Sequence, residues 1–388
     1  MTAANGRNRH LDFALALYRR LADEQPADGN LVWSPYSVAA ALGVTAAGAR
    51  GPTYDELARA LGGGDPSAPA QPADRADRAD LAALGRELGA AYRLDGDAEV
   101  AVANTLWTRL GLPFEDAYQQ AVLGWPGGAL HAADFRGDPE GSRIKINADV
   151  EKTTRGLIKE LLAGGTITPA TAAVIVNALY LKAAWRQPFE EGATKPMPFF
   201  APSGRRRVPT MRQAQRMPYA AAGGWRMVTL PTVSADVVVD VVLPAGERAG
   251  IGAGPDGEPD AAALARLYES ASSVQVDLAL PRFRVRSAAT LNGPLGELGV
   301  VTAFDPDRAD FSGITQERIC ISKIVHQAVL RLDEQGFEGA AATAVVMRLA
   351  GAFMQSRTVE FHVDRPFLLI VRHRDTGAIY FFARVTEP

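Results

Sequence analysis

Apolar residues in the first part of the chain recur at helical spacing, with Phe13, Ala14, Leu17 and Leu21 on one face. Ser34-Pro35-Tyr36-Ser37 then opens an Ala- and Leu-rich run, with a hydroxyl suited to an N-cap and a proline suited to the first turn. After that, strand-like runs dominate, over residues 99–107, 173–181, 237–243, 274–285, 319–332, 359–363, 367–371 and 379–385. Some of these do not alternate at all. Val174-Ile175-Val176-Asn177-Ala178-Leu179 is nearly continuous, which predicts a strand covered on both faces. Helices early, strands late and no regular βα alternation predict an α+β class with large sheets.

Two stretches break the pattern. Residues 65–80 turn to Asp, Ala, Pro and Arg without periodicity and read as a flexible surface insertion, and residues 246–260 are rich in Gly and Pro. Neither separates halves of different character. A single domain over 1–388 is therefore expected, although a length of 388 alone would allow two or three.

Composition narrows the function classes. A hydrophobic fraction of 47% and a charged fraction of 22% fit an ordinary globular protein. A net charge of -3 offers no electrostatic reason for nucleic acid or an acidic membrane as partner. The basic cluster Arg205-Arg206-Arg207 follows Ser203-Gly204 and reads as a solvated turn. The one cysteine, Cys320, cannot form an internal disulfide, and its setting Ile319-Cys320-Ile321 suggests a small buried thiol. Residues 5–10 lead into the first helix without an apolar signal core, and no apolar run approaches the length of a membrane span. A soluble, cytoplasmic monomer is the expectation; a secreted protein with its leader removed would read the same way.

Enzyme chemistry finds little support. Gly252-Ala253-Gly254-Pro255-Asp256-Gly257 has the letters of a dinucleotide motif, but the preceding strand ends too early and Pro255-Asp256 opens no helix for a pyrophosphate. The five histidines are scattered without metal-ligand spacing, and no Gly-x-Ser-x-Gly elbow occurs. No catalytic residue, metal or cofactor is expected. His326, alone in an apolar strand, reads as a hydrogen-bonded core group. The most unusual stretch is 334–347, where small residues that suit helix, extended chain or sheet follow Gly336 and Gly339.

With these residues in view, the chain resembles the serpin family. Asn30 with Ser34-Pro35-Tyr36-Ser37, Asn177-Ala178-Leu179-Tyr180-Leu181-Lys182 with Trp185 and Phe189, and Leu280-Pro281-Arg282-Phe283 are similar to family motifs. So are Ala309-Asp310-Phe311-Ser312-Gly313, Ile321-Ser322-Lys323-Ile324-Val325-His326, Val363-Asp364-Arg365-Pro366-Phe367 and Phe381-Phe382-Ala383-Arg384-Val385, in the family's order. The likeness runs from Phe13 to Val385.

The resemblance implies one α+β domain of about nine helices and three β-sheets with an exposed reactive-centre loop over 334–358. It implies a suicide-substrate inhibitor that a serine protease cleaves, forming a covalent acyl complex, after which the hinge inserts into the main sheet. The hinge would be Glu334, Gly336, Phe337, Glu338, Gly339, Ala340, Ala341, Ala342 and Thr343. Ser34, Ser37, Asn177 and His326 match the polar cluster beneath the point where the sheet opens, the shutter, and Trp185 matches the breach where insertion begins. Counted from Glu334 at the family's spacing, the scissile bond falls at Ala350-Gly351, which suits an elastase- or subtilisin-like protease. The loop is longer than in many relatives, so a shifted register at Arg348-Leu349, suiting a trypsin-like enzyme, stays open. Phe337 stands where the family has a small Thr or Ser, and its ring at the start of insertion favours the alternative, a non-inhibitory binding or storage protein.

Overall fold

The computed structural model describes residues 2–26, 28–64, 75–246, 257–337 and 358–388. Eight α-helices lie among them: α1 (Thr2–Asp23), α2 (Pro35–Gly48), α3 (Gly51–Leu61), α4 (Arg75–Ala91), α5 (Asp116–Val122), α6 (Pro139–Thr153), α7 (Ala261–Ser270) and α8 (Asn292–Glu297). The expected ninth is not among the described residues; the single turns Glu191–Ala193 and Thr302–Phe304 stop at 3-10 geometry. α2 is apolar all round and is the buried hub. Its Ser34 cap accepts from the Ser37 N–H at 3.1 Å, and nearly every residue from Pro35 to Gly48 is buried. α4 begins at Arg75, so the stretch read as an insertion to residue 80 ends in helix, while 65–74 lie outside the described residues.

A six-stranded sheet runs β10 (Phe283–Thr290), β11 (Lys323–Asp333), β12 (Gly336–Phe337), β4 (Ala173–Ala184), β2 (Glu99–Arg109) and β3 (Gly128–Ala133). A nine-stranded sheet runs β1 (Leu31–Trp33), β15 (Ile379–Val385), β14 (Phe367–His373), β8 (Val237–Pro244), β7 (Trp225–Pro231), β6 (Gly204–Ala222), β9 (Ser272–Pro281) and β13 (Val359–His362), with β5 (Lys195–Ala201) against β6. The described residues therefore form two sheets where three were expected. The reason is β6, whose 19 residues pair in turn with β5, β9 and β7 and so weld two strand groups together.

Two further expectations change. The apolar run 274–285 is not one strand: it crosses from one sheet to the other at Arg282, whose N–H donates to the Pro209 carbonyl at 3.1 Å. Periodicity registers burial, not a change of partner. The stretch 195–231, of which only Arg205-Arg206-Arg207 was read, as a turn, holds β5, β6 and β7, and those three arginines lie in β6, opposite Phe200, Phe199 and Pro198 of β5. Its outward row of Arg205, Arg207, Arg212 and Arg216 and its prolines mask an inward row that includes Val208, Met217 and Ala220.

The six-stranded sheet is covered on both faces, as its uninterrupted apolar runs predicted. On one face Leu106, Ile175, Leu179, Ile324, Ala328 and Leu332 join the main core with α2; on the other, Trp107, Val174, Val176, Val325 and Val329 meet Ile146 and Val150 of α6. Asn147 fastens α6 to the segment behind it, accepting from the N–H groups of Leu161 and Leu162 at 3.1 and 2.8 Å and donating to the Leu162 carbonyl. Cys320, read as buried, is only half-buried, and that burial pushes its thiol pKa up, away from reactivity.

Candidate functional site

The centre of the six-stranded sheet is a seam with two different ends. At one end β11 and β4 pair directly and in parallel, from Lys323 opposite Val174 to Gln327 opposite Ala178. At the other end β12 sits between them, antiparallel to both: Leu332 and Ala183 flank Phe337, and Asp333 and Ala184 flank Gly336. Between the two ends, no ladder joins Ala328–Arg331 to its counterpart, residues 179–182. Among the described residues, the two of β12 stand in this strand slot.

The root of β12 is held by several groups. The buried Trp185 packs edge-on against Phe189, 6.1 Å between ring centroids, and its indole N–H donates to the Asp333 carbonyl at 2.9 Å. The carbonyls of Gln335 and Glu334 accept from the N–H groups of Trp185 and Phe189, at 3.0 and 2.9 Å. The Glu334 carboxylate is buried, accepts from the Thr194 hydroxyl at 2.7 Å and faces the Arg282 guanidinium at 3.6 Å. Gly336 is buried at this root, and the register sets position 337 in the row of Leu332 and Ala183, both in the main core. Glu338, Gly339, Ala340, Ala341, Ala342 and Thr343 lie outside the described residues, as do Arg348, Leu349, Ala350 and Gly351.

At the paired end of the seam, three polar residues occupy one row across three strands. His326 is opposite Asn177, and Asn177 is opposite Asn104. Each follows from strand alternation, which puts them on the face toward α2. The Ser34 N–H donates to His326 Nε2 at 3.0 Å, so Nε2 carries no proton and Nδ1–H must donate, to Asn177 Oδ1 at 2.5 Å. Asn177 Nδ2 donates onward to Asn104 Oδ1 at 2.6 Å, and Asn104 Nδ2 to the Pro126 carbonyl at 2.8 Å. Ser37 adds a hydroxyl donor to Asn104 Oδ1 at 3.4 Å. Every bond in the chain points the same way, an arrangement in which each polarises the next. The His326–Asn177 bond crosses the seam itself.

Ser34, Ser37, Asn177 and His326 are thus brought together, and Trp185 lies at the other end of the same seam. The sequence reading missed Asn104, the middle of the row, and the Pro126 carbonyl that ends it. Asn104 left a signal, as the only carboxamide in the run Val100-Ala101-Val102-Ala103-Asn104-Thr105-Leu106; the carbonyl left none. Among the described residues, no group of three or more His, Cys, Asp or Glu is placed to hold a metal, and no helix is long and apolar enough to cross a membrane.

Burial holds His326 neutral, pushing its pKa down to about 3 against a smaller opposing effect from Asn177, and burial also lowers His10 to about 4. The unfolded chain binds protons on both rings below about pH 6.5 while the native state does not, so stability rises with pH across this window. It is complete above about pH 6.5 and is lost as pH falls toward 4, by up to about 1.4 kcal/mol per pH unit for each ring. Denaturant titrations of His326→Gln between pH 7 and 4 should show this slope reduced by about one proton relative to the parent chain. An unchanged slope would mean that His326 is not held neutral.

Comparison with known proteins agrees with this architecture. A family model described as serpin (serine protease inhibitor) matches residues 8–388. The chain is 32% identical over 403 residues to the leukocyte elastase inhibitor of Sus scrofa, covering 100% of this chain and 99% of that one. It is 29% identical over 382 residues to antithrombin-III of Mus musculus, covering 97% and 80%. Its fold superposes on a crystal structure of human thyroxine-binding globulin complexed with thyroxine, with a TM-score of 0.85 at 24% identity and 100% coverage of both chains.

Proposed function

The chain belongs to the serpin family, and we propose on that premise that it is a suicide-substrate inhibitor of serine proteases of elastase- or subtilisin-like specificity, not an enzyme. The observation that carries this reading is the seating of β12: the first residues of the hinge already form a strand in the slot that the rest would fill. Continued at the same register, residue 341 comes opposite Ala328 and Leu179, and Thr343 comes opposite His326 and Asn177 at once. Glu338 then enters between Arg331 and Lys182, with a cation on each side. Two independent strands agree on every pairing, which is what a slot shaped for one insert requires.

The chemistry belongs to the protease. Its serine Oγ attacks the Ala350 carbonyl, its histidine takes the serine proton and hands it to the Gly351 nitrogen, and the peptide bond breaks. The Ala350 carbonyl is left as an ester on the enzyme. Hinge insertion then carries the tethered protease away and displaces its oxyanion hole, so that hydrolysis of the ester stalls. For insertion to pass the paired end, the His326–Asn177 bond must open, and Ser34, Asn104 and the incoming Thr343 offer partners for the freed groups.

Phe337 and the fold shared with thyroxine-binding globulin favour the second reading, a serpin-fold binding protein without inhibition. The two separate in one experiment. Incubated with elastase, subtilisin and trypsin, the protein should give a denaturant-resistant complex with one of the first two, and the mass of the released carboxy-terminal peptide should begin at Gly351. A peptide beginning at Leu349 with a trypsin complex would move the bond to Arg348. Cleavage by all three without complex would leave the binding reading.

A further inference from the structure

The polar row ends at a carbonyl whose position nothing in the row itself determines. That carbonyl belongs to Pro126, in the turn between α5 and β3, and the turn is tightly specified. Gly127 has φ +63, and a Cβ there would meet the Val102 carbonyl oxygen at 2.2 Å; its own carbonyl accepts from the Asn104 N–H at 3.1 Å. The Trp125 carbonyl accepts from the Gly128 N–H at 3.0 Å, closing the turn.

The Trp125 side chain lies in a notch made by two glycines on two helices. A Cβ at Gly43 of α2 would stand 2.2 to 2.5 Å from the Cη2, Cζ3 and Cζ2 atoms of the indole, and one at Gly85 of α4 would stand 3.3 to 3.5 Å from the same atoms. No side chain at position 43 is compatible with the ring. The two helices are fixed to each other beside this notch, where the Tyr36 hydroxyl donates to the Leu88 carbonyl at 2.9 Å. Trp125 therefore keys the turn to the α2–α4 pair, and α2 also carries Ser37, the other partner that orients Asn104.

We infer that Trp125 is a positioning residue for the seam: wedged between Gly43 and Gly85, it fixes the Pro126 carbonyl that sets the amide of Asn104, and through Asn104 the bonds to Asn177 and His326 that close β4 against β11. An amide is nearly symmetric in shape, so its orientation is decided by what it faces. With the Pro126 carbonyl in place, Asn104 must present its NH2 to that carbonyl and its oxygen to Asn177. With the carbonyl displaced, the Asn104 NH2 loses its acceptor, and the amide that receives the Asn177 NH2 is no longer anchored at its far side. The role in inhibition rests on the function proposed above; the role in holding the seam does not.

Hydrogen exchange of the intact chain, read by mass spectrometry, tests this. In Trp125→Leu, which keeps an apolar side chain, peptides covering β4 and β11 should exchange about tenfold faster, while peptides covering β14 in the other sheet keep their parent rates. Gly85→Ala, which only crowds the ring, should accelerate the same peptides to a smaller degree, and should add nothing when combined with Trp125→Leu. Unchanged β4 and β11 peptides, a rise shared equally by β14, or additive effects of the two substitutions would each overturn the inference. Local acceleration in a protein that forms no covalent complex with any protease would leave this inference standing and remove the inhibitory reading instead.

Discussion

Cleavage of the chain within the segment after Phe337 should raise its unfolding temperature by about 4 °C or more. The slot between β11 and β4 accommodates a strand that continues β12 until position 346 faces both Lys323 and Val174. Such a strand makes roughly eighteen ladder bonds and displaces about five parallel ones; at about 0.5–1.5 kcal/mol net each, the difference is on the order of 10 kcal/mol. Ordering the inserted residues takes back a large share. If only a third survives, the shift is still about 4 °C for a chain of 388 residues. The intact protein cannot gain this freely, because the same segment must also reach β13, which is tied along β9 from Val359 to His362. Calorimetry of intact and nicked protein measures the difference directly. An equal or lower unfolding temperature after nicking would show that the slot does not fill.

On the proposed inhibitory function, Gly336→Val should turn inhibitor into substrate, with the yield of covalent complex falling at least about tenfold while cleavage continues. Gly336 has φ +143, a conformation that L side chains rarely adopt, and it is pressed against β4. A Cβ there would meet the Ala183 carbonyl oxygen at 2.2 Å and the Ala184 Cα at 2.8 Å, both backbone atoms of β4, where the Ala184 carbonyl is itself held by the Val233 N–H at 2.8 Å. The substitution therefore expels β12 from the slot, and insertion must start without its first residues. Slower insertion gives water time to hydrolyse the acyl ester, which is the branch point between inhibitor and substrate. Gel analysis of complex against cleaved protein reads the partition, and the cleaved variant should show a much smaller rise in unfolding temperature than the cleaved parent. An undiminished complex yield would mean that the seated β12 contributes nothing to capture.

These expectations rest on residues of unequal visibility. His326 stood out because a polar group alone in an apolar strand needs a partner when buried, and the resemblance to a family set Ser34, Ser37 and Asn177 beside it. Asn104 had the same physical mark, but no motif drew attention to it. Trp125 belongs to no motif read in the sequence; its importance comes from two glycines, one more than 80 residues before it in the chain and one about 40 before. Phe337 presented a conflict in the sequence that the register sharpens, since its position stands in the row of Leu332 and Ala183.

By itself the sequence determined the α+β class, the two-sided burial of the strands around Asn177 and His326, and the ordered motifs of the family, because burial and local geometry are written in the spacing of apolar residues. Tertiary structure alone decided which strands meet. It joined two strand groups through β6, sent residues 272–290 into two different sheets, seated Gly336 between β11 and β4, and completed the polar row with Asn104 and a carbonyl. The physical reason is that a strand's period fixes which face it buries but leaves its partner and register open; those follow from contacts between residues far apart in the chain.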